Sequence, residues 1–316
     1  MITYLDFEKP VAELQARIKD LKDAGGGNGP DIDPEIAKLE AKVEAQLAQI
    51  YARLTPWQKT QVARHPQRPH FKDIAAALVT EFMPLAGDRK FAEDVAIIGG
   101  PARFRGRPVM VIGHEKGSDT ASRLKHNFGM AKPEGYRKAV RLMELADRFG
   151  LPVITFVDTS GAFPGIQAEE RGQAEAVARG TAACLALGVP MVASIVGEGG
   201  SGGALALSAA NRILMLEHAV YSVISPEGCA SILWRTPDKA ADAAAAMKQT
   251  AQDLKALGLI DGIVPEPVGG AHRSPGAAIK ALGDAVEAAL AAMDGIDARS
   301  LRADRRAKFL AMGRGL

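Results

Sequence analysis

The stretch Gly197-Glu198-Gly199-Gly200-Ser201-Gly202-Gly203-Ala204 decides the reading of this chain. The apolar run 191–196 feeds into it and the alanine-rich run 204–210 leaves it, which predicts strand, glycine turn and helix. Five glycines in seven residues let the backbone turn tightly and bring bare N–H groups close to a ligand. The first turn of a helix has N–H groups with no internal partner, so such a turn is a ready site for negative charge. The same grammar occurs one unit earlier, where 153–158 runs into Thr159-Ser160-Gly161-Ala162-Phe163-Pro164-Gly165 and a helix is expected over 167–187. A third loop, Ser225-Pro226-Glu227-Gly228, follows short predicted strands at 213–216 and 221–224 and opens into 229–234. Consecutive strand–turn–helix units put the three loops on one active edge of an α/β sheet with right-handed crossovers.

Bulk properties narrow the class. At 316 residues and 47% hydrophobic content the chain can bury a sizeable core. The net charge of +2, from 39 basic and 37 acidic residues, gives no global preference for nucleic acid, so any anion binding must be local. Cys184 and Cys229 are too few for a disulfide framework or a tetrahedral zinc site, and no metal is expected. The first residues include Asp6, Glu8 and Lys9 with no apolar leader, and Gly or Pro interrupts every long apolar run; a cytoplasmic protein with no membrane span is expected.

Along the chain, Val11, Leu14, Ile18 and Leu21 recur at helical spacing and stop at a glycine-rich linker, 25–29. Asp33 reads as an N-cap with Pro34 at the first helical position, followed by the stripe Ile36, Leu39, Val43, Leu47, Ile50 and Leu54, either a coiled-coil seam or a face packed on the main domain. Thr55-Pro56-Trp57 starts a short helix, and 71–83 is expected to be helical. Strands 95–98 and 109–112 flank a turn region, 99–107, carrying Arg103, Arg105 and Arg107, a solvated turn or a phosphate contact. Lys116, Arg123, Lys125, His126, Lys132, Arg137 and Lys138 form a basic stretch that reads either as solvated surface or as a phosphate site. A helix is predicted over 133–149, another from Thr236 to Leu257, a strand at 263–265 and two helices after Pro275.

Three chemistries fit the glycine turn. Gly199-Gly200-Ser201-Gly202-Gly203 matches a G-x-S-x-G nucleophile motif, with Asp261 and His272 following in hydrolase order. Gly197-x-Gly199-x-x-Gly202 matches a dinucleotide fingerprint, without the acidic residue about 20 positions on. The third is an oxyanion hole of backbone N–H groups, which needs only small residues at a helix start.

Further motifs favour the third. Leu5-Asp6-Phe7-Glu8, Ala63-Arg64-His65-Pro66-Gln67-Arg68-Pro69, Asn127-Phe128-Gly129-Met130, Pro133-Glu134-Gly135-Tyr136-Arg137-Lys138-Ala139, Ala168-Glu169-Glu170-Arg171-Gly172-Gln173 and the run from Tyr221 to Trp234 accompany the glycine turn. With them the chain resembles, over almost its whole length, the alpha subunits of bacterial acetyl-CoA carboxylase carboxyltransferases. Ser160 stands where that family usually has proline, and the 25–29 linker is a second departure. The resemblance implies a crotonase-type (ClpP/crotonase) ββα superhelix with an N-terminal helical arm over 1–33, a carboxyltransferase domain over 34–294 and a helical tail over 295–316.

It also implies transfer of CO2 from carboxybiotin, carried by a partner protein, to acetyl-CoA, giving malonyl-CoA for fatty acid synthesis. Gly202 and Gly203 would form the carboxybiotin-side oxyanion hole, with Gly199, Gly200, Gly161, Ala162, Gly165, Ser225, Pro226, Glu227 and Gly228 as substrate-binding residues. Implied partners are a zinc-ribbon-bearing beta subunit in an alpha2beta2 heterotetramer, a biotin carboxyl carrier protein and biotin carboxylase. ATP would be used by the whole complex and bound by no motif here. The alternatives are a stand-alone crotonase-fold hydratase or serine hydrolase using Ser201, or a non-catalytic assembly subunit.

Overall fold

In the computed structural model, which describes residues 3–24 and 33–314, the chain begins with two helices that pack on each other. These are α1, Lys9–Ala24, and α2, Asp33–Tyr51. Val11 and Ile18 meet Ile36, Val43 and Leu47 in a small hydrophobic cluster of their own, while Arg17–Glu35 and Lys22–Glu40 pairs line its rim. The stripe on α2 is thus a helix–helix seam, tied to the body where Tyr51 meets His218 and where Glu8 pairs with Arg273. The boundary drawn at residue 33 separates these two helices; the glycine linker lies outside the described residues.

α3, Pro56–Ala63, starts where Thr55 accepts from the Gln58 N–H, and α4, Phe71–Leu78, leads directly into β1, Val79–Thr80. The helix expected over 71–83 stops at Leu78, where the β-branched pair Val79-Thr80 bonds antiparallel to Phe104 and Arg103. β2, Ile97–Phe104, and β3, Arg107–His114, form a hairpin whose turn is only Arg105-Gly106, both at positive φ. Arg103, Arg105 and Arg107 pair with Glu81, with Asp284 and Glu287, and with Asp294, so they clasp neighbouring elements.

After α5, Thr120–Lys125, comes α6, Pro133–Phe149, which Gly150 ends in the left-handed conformation. β4, Val153–Thr159, is buried along its whole length. The expected 167–187 helix is two helices, α7, Ile166–Glu170, and α8, Gln173–Ala186, broken at Gly172 with φ +80°. β5, Met191–Gly200, is also buried throughout and runs through three of the glycines. α9, Ser201–Leu205, is much shorter than the alanine run suggests.

β6, Arg212–Leu216, β7, Val220–Ser222, and α10, Pro226–Trp234, follow. The helix expected from Thr236 to Leu257 is interrupted: α11, Ala240–Ala246, and α12, Ala251–Ala256, flank a break where Thr250 bridges to Val220 and its side chain caps α12. β8, Gly262–Val264, α13, Pro275–Ala291, and α14, Ala298–Ala311, complete the chain.

The sheet order is β1-β2-β3-β4-β5-β6-β8, with β7 pairing the end of β5. β2 runs antiparallel to both of its neighbours, β1 and β3, and every pairing from β3 to β8 is parallel. Parallel strands end on the same edge, so β4 and β5 deliver residues 159–165 and 197–203 side by side. Behind them α6 and α8 pack together, with Tyr136, Ala139, Leu142, Met143 and Ala146 of α6 buried in the main core.

Candidate functional site

The two loops touch backbone to backbone. A β-carbon on Gly200 would collide with the carbonyl group of Ser160. One on Gly203 would stand 2.7 Å from the Ala162 nitrogen, 2.8 Å from the Gly161 carbonyl carbon and 2.7 Å from the Tyr136 hydroxyl oxygen. Real β-carbons do not approach so closely, so both positions require glycine for the loops to meet. Gly203 is buried, Gly202 is half-buried and Ser201 is exposed at φ +54°. Gly199 lies against Tyr221, and Gly165 stands at the N-cap of α7 against the Phe163 ring. The third loop joins the edge through α10, where the Ser225 hydroxyl accepts from the Gly228 N–H and Pro226 takes the first helical position.

A charged network holds the strand ends together. Asp158, on β4, lies against the α-carbon of Gly197 and accepts the Glu198 N–H at 2.9 Å. The Lys116 ammonium, just past β3, sits 2.8 Å from Asp158 Oδ1 and 2.9 Å from Glu198 Oε2. Arg64, following α3, donates to Glu198 at 2.6 Å and to Glu227 at 2.5 Å, linking the glycine turn to α10. Burial alone would raise the Asp158 carboxyl, but the Lys116 ammonium and the His70 ring hold it well below the usual carboxylate range. Burial is likewise overcome at Glu198, which Lys116 and Arg64 hold low, and at Lys116, which the two carboxylates hold high. All three are therefore charged at neutral pH.

The glycine turn separates two recesses. One, of about 190 Å³, is polar and lined by Arg64, His70, Lys116, Asp158, Ser160 and Glu198. The other, of about 550 Å³, is apolar and runs past Ser201, Leu205, Tyr221, Val223, Ile224 and Phe309. Beside it α10 exposes Ile232, Leu233 and Trp234, and Val223 is 81% exposed.

Ser201, Asp261 and His272 do not form a triad. Asp261 precedes β8, at the sheet edge opposite the end of β5, and its carboxylate accepts from the Ile213 N–H and from Lys308. His272 stacks on His65 at 3.7 Å, both its ring nitrogens lack a hydrogen-bond partner among the described residues, and burial pushes it down to about 3. The basic stretch does not act as one unit: Lys125 is exposed, while four of its members turn inward to separate partners. Lys116 is internal, Arg137 pairs with Asp88 and Glu134, Lys138 pairs with Glu93, and His126 Nδ1 is 2.6 Å from the Val95 carbonyl.

Sequence reading passed over Arg64, Lys116, Asp158 and Glu198 as a unit, because they come from four separate segments. The available signal was a carboxylate ending each of two buried strands, an expensive placement unless paired. Among the described residues no group of three or more His, Cys, Asp or Glu could hold a metal ion, and no helix is long and apolar enough to cross a membrane.

The sheet, parallel from β3 to β8 with glycine loops meeting at the ends of β4 and β5, is that of a crotonase-type α/β protein. Solved structures share this fold. Transcarboxylase 12S with methylmalonyl-coenzyme A and methylmalonic acid bound matches at a TM-score of 0.54 and 20% identity, over 67% of this chain and 41% of that one. A Pseudomonas malonate decarboxylase hetero-tetramer in complex with coenzyme A matches at 0.54 and 20%, over 66% and 84%.

The family model for acetyl co-enzyme A carboxylase carboxyltransferase-like proteins matches residues 4–313. The acetyl-coenzyme A carboxylase carboxyl transferase subunit alpha of Sphingopyxis alaskensis is 72% identical over 314 residues, 99% of this chain and 100% of that one. That of Zymomonas mobilis subsp. mobilis is 68% identical over 313 residues, with the same coverage. The chain belongs to the family of acetyl-coenzyme A carboxylase carboxyltransferase alpha subunits, and its activity is carboxyl transfer within a complex of several subunits.

Proposed function

We propose that this chain supplies the carboxybiotin-side half of an active site that is completed by a beta subunit. The observation that carries the reading is the meeting of the two glycine loops at the start of α9, beside an apolar recess and with His272 stacked on His65. Carboxybiotin, brought by a carrier protein, supplies CO2 and on giving it up leaves negative charge on its ureido group. Gly202 and Gly203 offer that charge N–H groups in the first turn of α9, and the absence of side chains lets the ligand approach the backbone. Gly199, Gly200, Gly161, Ala162 and Gly165 shape the two loops, while Ser225, Pro226, Glu227 and Gly228 hold the adjoining wall. The apolar recess fits the uncharged body of the biotin ring system.

Acetyl-CoA binds on the beta side, whose own donors hold the thioester oxygen when the acetyl group becomes an enolate. The exposed Ile232, Leu233 and Trp234 of α10 support a partner on this edge. The wider assembly includes biotin carboxylase, which uses ATP; the alpha2beta2 carboxyltransferase makes malonyl-CoA for fatty acid synthesis in the cytoplasm. The N-terminal arm, 1–33, and the tail, 295–316, flank the carboxyltransferase domain. The test is to titrate the purified chain with its cognate beta subunit and follow malonyl-CoA. Activity should appear only with both subunits; substantial turnover by the isolated chain contradicts the half-site reading.

A further inference from the structure

Tyr136 stands in the first turn and a half of α6, under the place where the two glycine loops meet. Its side chain is fully buried, and its ring belongs to the main hydrophobic core. Its hydroxyl has no hydrogen-bond partner among the described residues. That oxygen is 2.7 Å from where a β-carbon on Gly203 would stand, and the Ala162 nitrogen is equally close to the same point. The phenol therefore touches the underside of the turn whose N–H groups carry the proposed chemistry.

A buried hydroxyl that no protein group pairs contributes less to the fold than a bonded one. Phenylalanine would fill nearly the same space without a hydroxyl to pair. The local packing thus favours Phe, and the sequence has Tyr. Burial and the nearby Asp94 carboxylate both raise the Tyr136 phenol, so it keeps its proton and acts through the O–H bond, not as a base.

We propose that Tyr136 is a positioning residue of the glycine turn, its free O–H lying under Gly203 so that its hydrogen can swing toward negative charge developing at the N–H groups above. This rests on the reading of Gly202 and Gly203 as the donors to that charge. A dipole buried beneath the turn is less screened than one in water. A hydroxyl already committed to a carbonyl would first have to break that bond; this one has only to rotate.

The experiment is Tyr136→Phe in the complex reconstituted with the cognate beta subunit, with kinetics and melting read on one sample. We expect kcat to fall about tenfold, the scale of one buried polar contact, with KM for acetyl-CoA unchanged and the melting midpoint equal to or above that of the wild type. Turnover within about twofold of the wild type overturns the proposal. So does a loss of turnover accompanied by lower melting or failed assembly, because that marks a packing role. Gly202→Val, run in parallel, separates this inference from the reading beneath it. If Gly202→Val loses transfer and Tyr136→Phe does not, only the tyrosine assignment falls; if neither loses transfer, the donor assignment falls and takes the tyrosine with it.

Discussion

Asp158 and Glu198 are joined twice: the Asp158 carboxylate accepts the Glu198 backbone N–H at 2.9 Å, and both side chains share the Lys116 ammonium. This fixes the ends of β4 and β5 relative to each other just before the chain enters the two loops. Lys116→Met would leave two buried carboxylates facing each other with Arg64 and the His70 ring as their nearest positive or polar neighbours. Removing one partner of a buried pair typically costs about 3–5 kcal/mol. Urea unfolding should show a loss of that size, and a loss below about 1 kcal/mol would mean that water screens the cluster.

His114, at the end of β3, is buried, and burial pushes its imidazole down to about 3 from 6.5. Between those values the unfolded chain holds a proton at this site and the folded chain does not. Stability contributed by the neutral ring is therefore full above pH 6.5 and declines as pH falls toward about 3. His114→Leu should reduce the slope of unfolding free energy against pH by about 1.4 kcal/mol per unit between about pH 4 and 6. An unchanged slope would show that the imidazole already takes its proton in the fold.

Ser201→Ala should keep most carboxyltransferase activity, and a fluorophosphonate probe should leave Ser201 unlabelled. Asp261 is engaged by Ile213 and Lys308, and His272 by the His65 ring, so nothing prepares the serine to attack. Stoichiometric labelling would restore the hydrolase alternative.

Gly203→Val is where sequence and structure part. The sequence marks Gly203 only as an oxyanion-hole residue and gives no sign of how tightly the turn is packed around it. The structure buries Gly203 against Gly161, Ala162 and Tyr136, with two of the three contacts being backbone atoms that cannot swing aside. The expected outcome is lower melting or failed assembly before any kinetic effect is seen, checked by thermal melting of the variant. Gly202 is the position for a functional test, because a β-carbon there meets only the end of the Val177 side chain, at 3.0 Å.

Much of the architecture was legible because it rests on local pattern. The apolar runs that become β4 and β5 are continuous, as strands covered on both faces must be, and the stripe on α6 has the period of a half-buried helix. What was not legible depends on distant partners. The break at Gly172 coincides with Arg171 reaching Glu134 on α6, and the break before α12 serves the bridge from Thr250 to Val220. A single glycine or threonine does not announce such a partner. The basic stretch misled for the same reason: Lys116, His126, Arg137 and Lys138, close in sequence, turn to separate acceptors in space. The three loops, in contrast, were visible as a group, since glycine, proline and capping residues recur after each strand.

The most direct measurement is the steady-state kinetics of Gly202→Val in the reconstituted complex, with biocytin and acetyl-CoA varied separately in the two directions of transfer. The half-site reading predicts that kcat/KM for biocytin falls about 10²-fold or more, the scale of a lost oxyanion donor, because the new side chain keeps the ligand from the N–H groups that remain, while KM for acetyl-CoA and the melting midpoint stay near wild type. Wild-type turnover with biocytin, or a loss expressed only as a raised KM for acetyl-CoA, would contradict the assignment of this turn to carboxybiotin.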